Sequence, residues 1–152
     1  MSFFGHARKP VGFGGKVMTE MMNIGHKPMA NWGLQFLKVS SNAKILDCGC
    51  GGGANIKKLL KKYPHSIVNG IDYSIVSVEK SKKVNNKAVA EGRCTVLKGN
   101  VMNMPYSAAC FESVTAFETS EFWQDLPRCF CEIYRVLKPS GTFLICNEVS
   151  GD

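Results

Sequence analysis

Residues 44–60 read KILDCGCGGGANIKKLL, and the reading of this stretch decides the fold. An apolar run, Lys44 to Cys48, is followed by four glycines and two cysteines within the six residues from Cys48 to Gly53. Next comes an amphipathic run. Ile56, Leu59, Leu60 and Tyr63 recur at helical spacing, with Lys57, Lys58, Lys61 and Lys62 on the other face. The pattern is a buried strand, a bare turn and a helix. In an open parallel sheet, ligands bind beyond the carboxyl ends of the strands, where the winding reverses. Glycine at that place lets the chain turn tightly and admits a ligand against main chain. A tight turn that binds nothing is the plainer alternative, and four glycines argue against it.

Outward from this stretch the chain keeps alternating. SIVNGID (66–72), CTVLKGN (94–100), FESVTAF (111–117) and TFLICNEV (142–149) read as further strands, with the first strand over 44–49. Ser74 is placed to cap a helix running to about Ala90, with Gly92 marking its end. A later helix carries Leu126, Phe130, Ile133 and Leu137 on one predicted face, and KPSG (138–141) reads as a turn. Strands separated by helices imply right-handed parallel crossovers. The expected fold is therefore α/β: a Rossmann-like, doubly wound, mostly parallel sheet. Residues 1–43 differ. They predict a helical segment, with Pro28 near the first turn of its second helix. Met18, Met21, Met22, Met29, Trp32 and Phe36 are expected to pack on the sheet or over its open edge. Residues 44–152 form the core of what is expected to be one domain.

Composition bounds the function classes. The 152 residues are 45% apolar and 20% charged, as in ordinary globular proteins. No apolar run approaches the ~20 residues of a membrane helix, and MSFFGHARKP lacks a signal-peptide core, so a cytoplasmic setting is expected. Seven cysteines and three scattered histidines, His6, His26 and His65, offer no metal-ligand spacing. Reduced, buried thiols are the expected reading, and no metal is predicted. The net charge of +7 lies largely in KKLLKK and EKSKKVNNK. No aromatic side chains interleave with those lysines to stack bases, which counts against a nucleic-acid surface.

An acid at the end of the second strand, Asp72, is positioned to accept hydrogen bonds from two ribose hydroxyls. Gly49–Ala54 also satisfies the dinucleotide pattern G-x-G-x-x-A, by itself a weak signal. Asp47 separates the alternatives. A carboxylate two residues before the first glycine would repel a pyrophosphate, whereas it suits a ligand bearing an ammonium group.

These residues resemble the motifs of class I S-adenosylmethionine-dependent methyltransferases. ILDCGCGGG resembles the family's D-x-G-x-G-x-G motif, and VNGIDYS its acidic second motif. LKGNVMNMPY resembles the adenine-contacting segment, usually G-D-x-x-x-L-P-F. FESVTAFET resembles the fourth-strand segment, and EIYRVLKPSGTFLI the helix-turn-strand usually written R-V-L-K-P-G-G. The five run in order over about two-thirds of the chain. HARKPVGFGGKVM with MANWGL also resembles a bacterial-type subgroup of small-molecule methyltransferases. The resemblance implies S-adenosyl-L-methionine as cofactor. It implies that Asp47, Gly49, Cys50 and Gly51 hold the methionine end, and that Asp72 holds the ribose with Tyr73 beside the adenine. Asn100 and Val101 would contact the adenine, and Phe117 and Glu118 would lie near the sulfonium and amino group. Asn100 stands where the family usually has aspartate, a neutral acceptor in place of a charged one.

The implied function is methyl transfer to a small-molecule acceptor. A non-catalytic cofactor-binding fragment and an RNA methyltransferase are the alternatives, and a nicotinamide oxidoreductase fits less well. His26, Glu118 and Glu121 are the candidates for a general base. Phe117 and Trp123 could line the sulfonium or acceptor site, and plain core packing is the alternative. The family's sheet has seven strands, and the sequence runs only through the fifth. Unless its edge is covered otherwise, an exposed fifth strand would invite pairing with another chain, so a homodimer through that strand or a domain-swapped assembly is expected.

Overall fold

A strand covered by helices on both sheet faces cannot alternate apolar and polar residues. Ile45, Leu46, Asp47 and Cys48 are accordingly all buried. They belong to β1 (Lys44–Cys48) of the computed structural model, which describes residues 29–148. β2 (Ile67–Asp72), β3 (Cys94–Lys98), β4 (Phe111–Phe117) and β5 (Leu137–Cys146) complete one sheet of order β3-β2-β1-β4-β5. Every pairing is parallel, and the winding reverses between β1 and β4. The doubly wound expectation holds.

The two faces make two cores. On one, Ile45, Val68 and Val96 pack with Ile56, Leu59 and Leu60 of α1 (Ala54–Lys62) and Val78 of α2 (Ile75–Val84). On the other, Leu46, Ile71 and Val114 pack with Cys129, Ile133 and Val136 of α4 (Leu126–Val136). Five of the seven cysteines are buried and all seven are free thiols. Burial, reinforced by the nearby aspartate charges, pushes the thiols of Cys48 and Cys50 well above the ordinary range. Among the described residues, no helix is long and apolar enough to cross a membrane.

Four expectations change. The helix after Ser74 is two pieces, α2 and α3 (Asn86–Ala90). Ser74 does cap α2, accepting from the Ser77 N–H. Asn85 breaks the run, because its amide donates to the Gly53 and Ser81 carbonyls and competes with regular helix. The face of α4 is rotated from the predicted one. Cys129, Ile133 and Val136 are buried, whereas Leu126 and Phe130 are exposed and Leu137 already belongs to β5. A small thiol fits beneath the sheet where Phe130 would not. Phe130 instead meets Phe143 edge-on, ring centroids 5.8 Å apart.

KPSG forms no separate turn between elements. β5 starts at Leu137 and carries the irregularity inside it, with Ser140 at φ 64° and a register shift opposite Phe111–Ser113. Finally, residues 29–34 are helical, and the face that packs is Ala30, Leu34 and Leu37. Met29 packs against the same cluster, but Trp32 and Phe36 are exposed and meet each other edge-on at 5.1 Å. The segment is tied to α1 by the Lys62 ammonium on the Leu34 carbonyl, and the Tyr63 hydroxyl donates to the Leu37 carbonyl at 2.7 Å. Pro28, Met18, Met21 and Met22 lie outside the described residues.

The rotated face has a measurable consequence. Ile133→Ala should cost about 2–4 kcal/mol, as a buried aliphatic truncation does. Leu126→Ala should cost less than about 1 kcal/mol. Urea unfolding of the two variants checks the order, and equal losses would contradict the packing described.

Candidate functional site

The carboxyl ends of β1, β2 and β4 meet where the winding reverses, and the glycine turn closes over them. Gly49 and Cys50 both donate to the Ile71 carbonyl, at 2.8 and 3.2 Å, so the turn is hung from the end of β2. The Gly51 N–H donates to Asp72 Oδ2 at 2.9 Å, while Asp72 Oδ1 accepts from the Ser74 N–H at 2.9 Å. Ser81 Oγ donates to the Gly51 carbonyl at 3.2 Å, and the Asn85 amide to the Gly53 carbonyl at 3.0 Å.

Two of the glycines are bare for different reasons. Gly53 has φ 88°, and a Cβ there would lie 2.5 Å from Ser81 Oγ and 2.8 Å from the Ser81 Cα. Its bareness lets α1 and α2 approach. Gly51 has φ 52°, and a Cβ there would meet nothing within 4 Å. Nothing in the fold requires the space over Gly51 to stay open, so that space is where a ligand can lie against main chain.

Two buried acids flank the opening. Asp47 is fully inside, its carboxylate accepting from Thr115 Oγ1 at 2.7 Å across the β1–β4 pairing. Burial pushes its acid up to about 7; the Thr115 hydrogen bond opposes this and the Asp72 charge adds to it. Burial raises Asp72 as well, against the main-chain hydrogen bonds that lower it. A cation placed against these acids would offset both their burial and the Asp72 charge that Asp47 feels.

The predicted site residues fall into two groups. Asp47, Gly49, Cys50, Gly51, Asp72, Tyr73, Asn100 and Glu118 stand at strand ends around the opening. Of these, Cys50 contributes main chain only, because its side chain is buried 3.6 Å from Ser81 Oγ. Tyr73 is half exposed beside Asp72. The Asn100 amide oxygen accepts from the Met102 N–H at 2.9 Å and shapes the turn after β3. Glu118 is buried with φ 53°, a conformation that costs a non-glycine residue energy and that the surrounding contacts hold in place. Its Oε1 accepts from the Glu148 N–H at 2.7 Å, and its own N–H donates to the Cys146 carbonyl.

The second group packs elsewhere. The side chains of Val101 and Phe117 are buried in the two cores, Phe117 against the place of Gly33. Trp123 is partly buried against the α4 side. Glu121 is exposed on the short 3-10 turn Ser120–Phe122, and His26 lies outside the described residues.

Sequence reasoning missed Thr115, Ser81, Asn85 and Thr119. A Cβ on Gly49 would lie 2.1 Å from Thr119 Oγ1, so Thr119 sits directly on the turn. The signal for Thr115 is its register opposite Asp47, which only the strand pairing supplies.

The sheet order and the glycine turn define a doubly wound domain with a ligand site at its switch point. The chain belongs to the methyltransferase domain family, whose match covers residues 46–145, and within it to the class I S-adenosylmethionine-dependent methyltransferases. Among relatives, it is 34% identical over 109 residues to cycloartenol-C-24-methyltransferase 1 of Oryza sativa subsp. japonica. That match covers 72% of this chain and 31% of the rice protein. It is 30% identical over 116 residues to sterol 24-C-methyltransferase of Debaryomyces hansenii, covering 76% of this chain and 30% of that one. The fold matches geranyl diphosphate C-methyltransferase of Streptomyces coelicolor, crystallised with S-adenosyl-L-homocysteine, with TM-score 0.71 at 18% identity. The likeness covers 78% of this chain and 42% of that one. The chain thus spans about a third of the length of the curated relatives it matches.

Two predictions follow from the loop and the buried acid. Gly53→Ala should cost more than about 2 kcal/mol, because main chain must move, whereas Gly51→Ala should cost about 1 kcal/mol of backbone strain. Thermal unfolding of both variants reads the difference. For Asp47 the folded acid holds its proton more tightly than the unfolded one. Its contribution to stability is therefore full below 3.8 and is lost as pH rises from there to about 7. Asp47→Asn should remove a pH-dependent loss on the order of 4 kcal/mol between those limits. Unfolding free energies at pH 5 and pH 8, wild type against variant, check it by reading the portion above pH 5, about 2.7 kcal/mol.

Proposed function

We propose that this chain binds S-adenosyl-L-methionine at the glycine turn and forms the cofactor-binding part of a methyltransferase acting on a small-molecule acceptor. The carrying observation is Gly51: a main chain left bare over open space, with its N–H fixed by an acid that has lone pairs to spare. The family supports the cofactor, and the two sterol methyltransferases among its relatives support a small-molecule acceptor.

The residues present fit that cofactor. The space over Gly51 admits a planar or extended ligand, and each Asp72 oxygen that accepts one main-chain N–H keeps capacity for a ribose hydroxyl. Asp47 supplies the negative charge that an ammonium group requires, and the Thr115 hydroxyl fixes one oxygen of its carboxylate. Tyr73 offers a half-exposed ring on the adenine side. Bound there, S-adenosylmethionine supplies a methyl group already activated by its sulfonium. The chain has then to orient it and to exclude water. Glu118 is a buried carboxylate at the carboxyl end of β4, held to the residues at and after the end of β5 by the Glu148 N–H and the Cys146 carbonyl. We assign it to the amino and sulfonium end, and place the base role with Glu118 ahead of Glu121, which faces solvent.

Calorimetric titration with S-adenosylhomocysteine tests the reading. Micromolar binding is expected, with none to NAD, and Asp72→Ala should weaken it by about tenfold or more. An ammonium ligand favours the charged form of Asp47. Binding should therefore release a proton, strengthen as pH rises to about 7, and level off above. In Asp47→Asn that slope should vanish. A folded chain that binds NAD and not S-adenosylhomocysteine would refute the proposal.

A further inference from the structure

The twelve-residue connection from Gly99 to Cys110 carries the adenine side of the proposed site, and it has no strand or helix of its own. Its two ends are closed by main-chain bonds. The Gly99 N–H donates to the Asp72 carbonyl at 2.9 Å; at the far end the Ala109 and Cys110 N–H groups donate to the Arg135 and Val136 carbonyls at 2.9 and 2.7 Å. Loops of this length without regular structure adopt one arrangement only when side chains impose it.

The middle of the connection is held from α4. The Glu132 carboxylate accepts from the Met104 N–H. The Arg135 guanidinium donates to the Tyr106 carbonyl at 2.8 Å and to the Met104 carbonyl at 3.2 Å. Arg135 and Glu132 also face each other fork to fork through Nε and Nη2, which fixes both side chains. Three main-chain groups of one loop are thus gripped by one ion pair. Met104 and Val101 are buried as a result, and the turn Asn100–Asn103 is set at the end of β3 beside Asp72.

We propose that Glu132 and Arg135 are positioning residues for the adenine end of the cofactor: they touch no ligand, and through Met104 and Tyr106 they set where Asn100 and the Val101 main chain stand. The inference rests on the cofactor site proposed above. A planar fork that serves two carbonyls and a carboxylate at once is something lysine cannot reproduce with a single ammonium. That difference separates positioning from filling of space.

The experiment compares wild type, Arg135→Lys, Arg135→Ala and the milder Glu132→Gln. The ligands are S-adenosylhomocysteine and methylthioadenosine, which shares the adenosine but lacks the amino-acid end. Both Arg135 variants should lose about tenfold in affinity, for both ligands alike. Combined with Asn100→Ala, Arg135→Ala should add little; combined with Asp47→Asn, its effect should multiply in full. Hydrogen exchange should speed up at the Met102 and Met104 amides while the β2 amides keep their protection. Wild-type affinity in Arg135→Lys, or full independence from Asn100→Ala, would overturn the proposal. If wild type binds neither ligand, the cofactor reading fails instead. The exchange measurement then still decides whether the ion pair holds the loop, and unchanged Met104 exchange would refute that too.

Discussion

The Asp72 carboxylate is the joint on which the site depends. One oxygen holds the Gly51 N–H and the other the Ser74 N–H. A single side chain at the end of β2 thereby fixes the turn after β1 and the start of α2. Without it, the Gly51 N–H, in a turn with left-handed residues at Gly49, Gly51 and Gly53, would lose its partner. Ser81 and Asn85 finish the work from α2 by donating to the Gly51 and Gly53 carbonyls. The loop is held by these neighbours, and its glycines supply the left-handed main chain and, at Gly53, the close approach of α2.

The same joint has an electrostatic cost. Burial makes both Asp72 and Asp47 reluctant to ionise, and the Asp72 charge adds to the reluctance of Asp47. Such a pair is destabilising in the protein alone and favourable once a cation lies against it. Under the cofactor reading proposed above, the energy that the fold gives up at Asp47 would favour an ammonium-bearing ligand over a pyrophosphate. Asp47 also explains why the dinucleotide pattern in Gly49–Ala54 does not decide the ligand. Glu118 and its left-handed main chain carry a second local cost, held by Glu148 and Cys146 from the adjoining strand.

Much of this was legible in the residues. The strand over 111–117 was read to the residue, and the strand–glycine–helix unit at Lys44 placed the turn correctly. Asp47 and Asp72 were singled out from their places within and at the end of strands, and Glu118 through the family resemblance. The failures share one cause. Periodicity says that a face is apolar, not which of two adjacent apolar stripes meets the sheet. Cys129 won over Phe130 on α4, and Leu34 and Leu37 won over Trp32 and Phe36 in the first described segment, because the space beneath admits the smaller or narrower side chain. The resemblance put Val101 beside the adenine and Phe117 at the end of the fourth strand; the structure buries both side chains in the cores.

By itself the sequence determined the class of fold, the position of the glycine turn and the presence of acids at its edge. Local chemistry suffices for these: strand-forming runs, capping residues and left-handed glycines act over a few neighbours. Only the tertiary structure decided that Thr115 faces Asp47, that Thr119 sits on Gly49, and that Glu132 and Arg135 hold the loop of Met104 and Tyr106. Each of these joins residues that neither period nor spacing relates. Strand order and register bring them together, and those are settled by burying the two faces of the sheet at once.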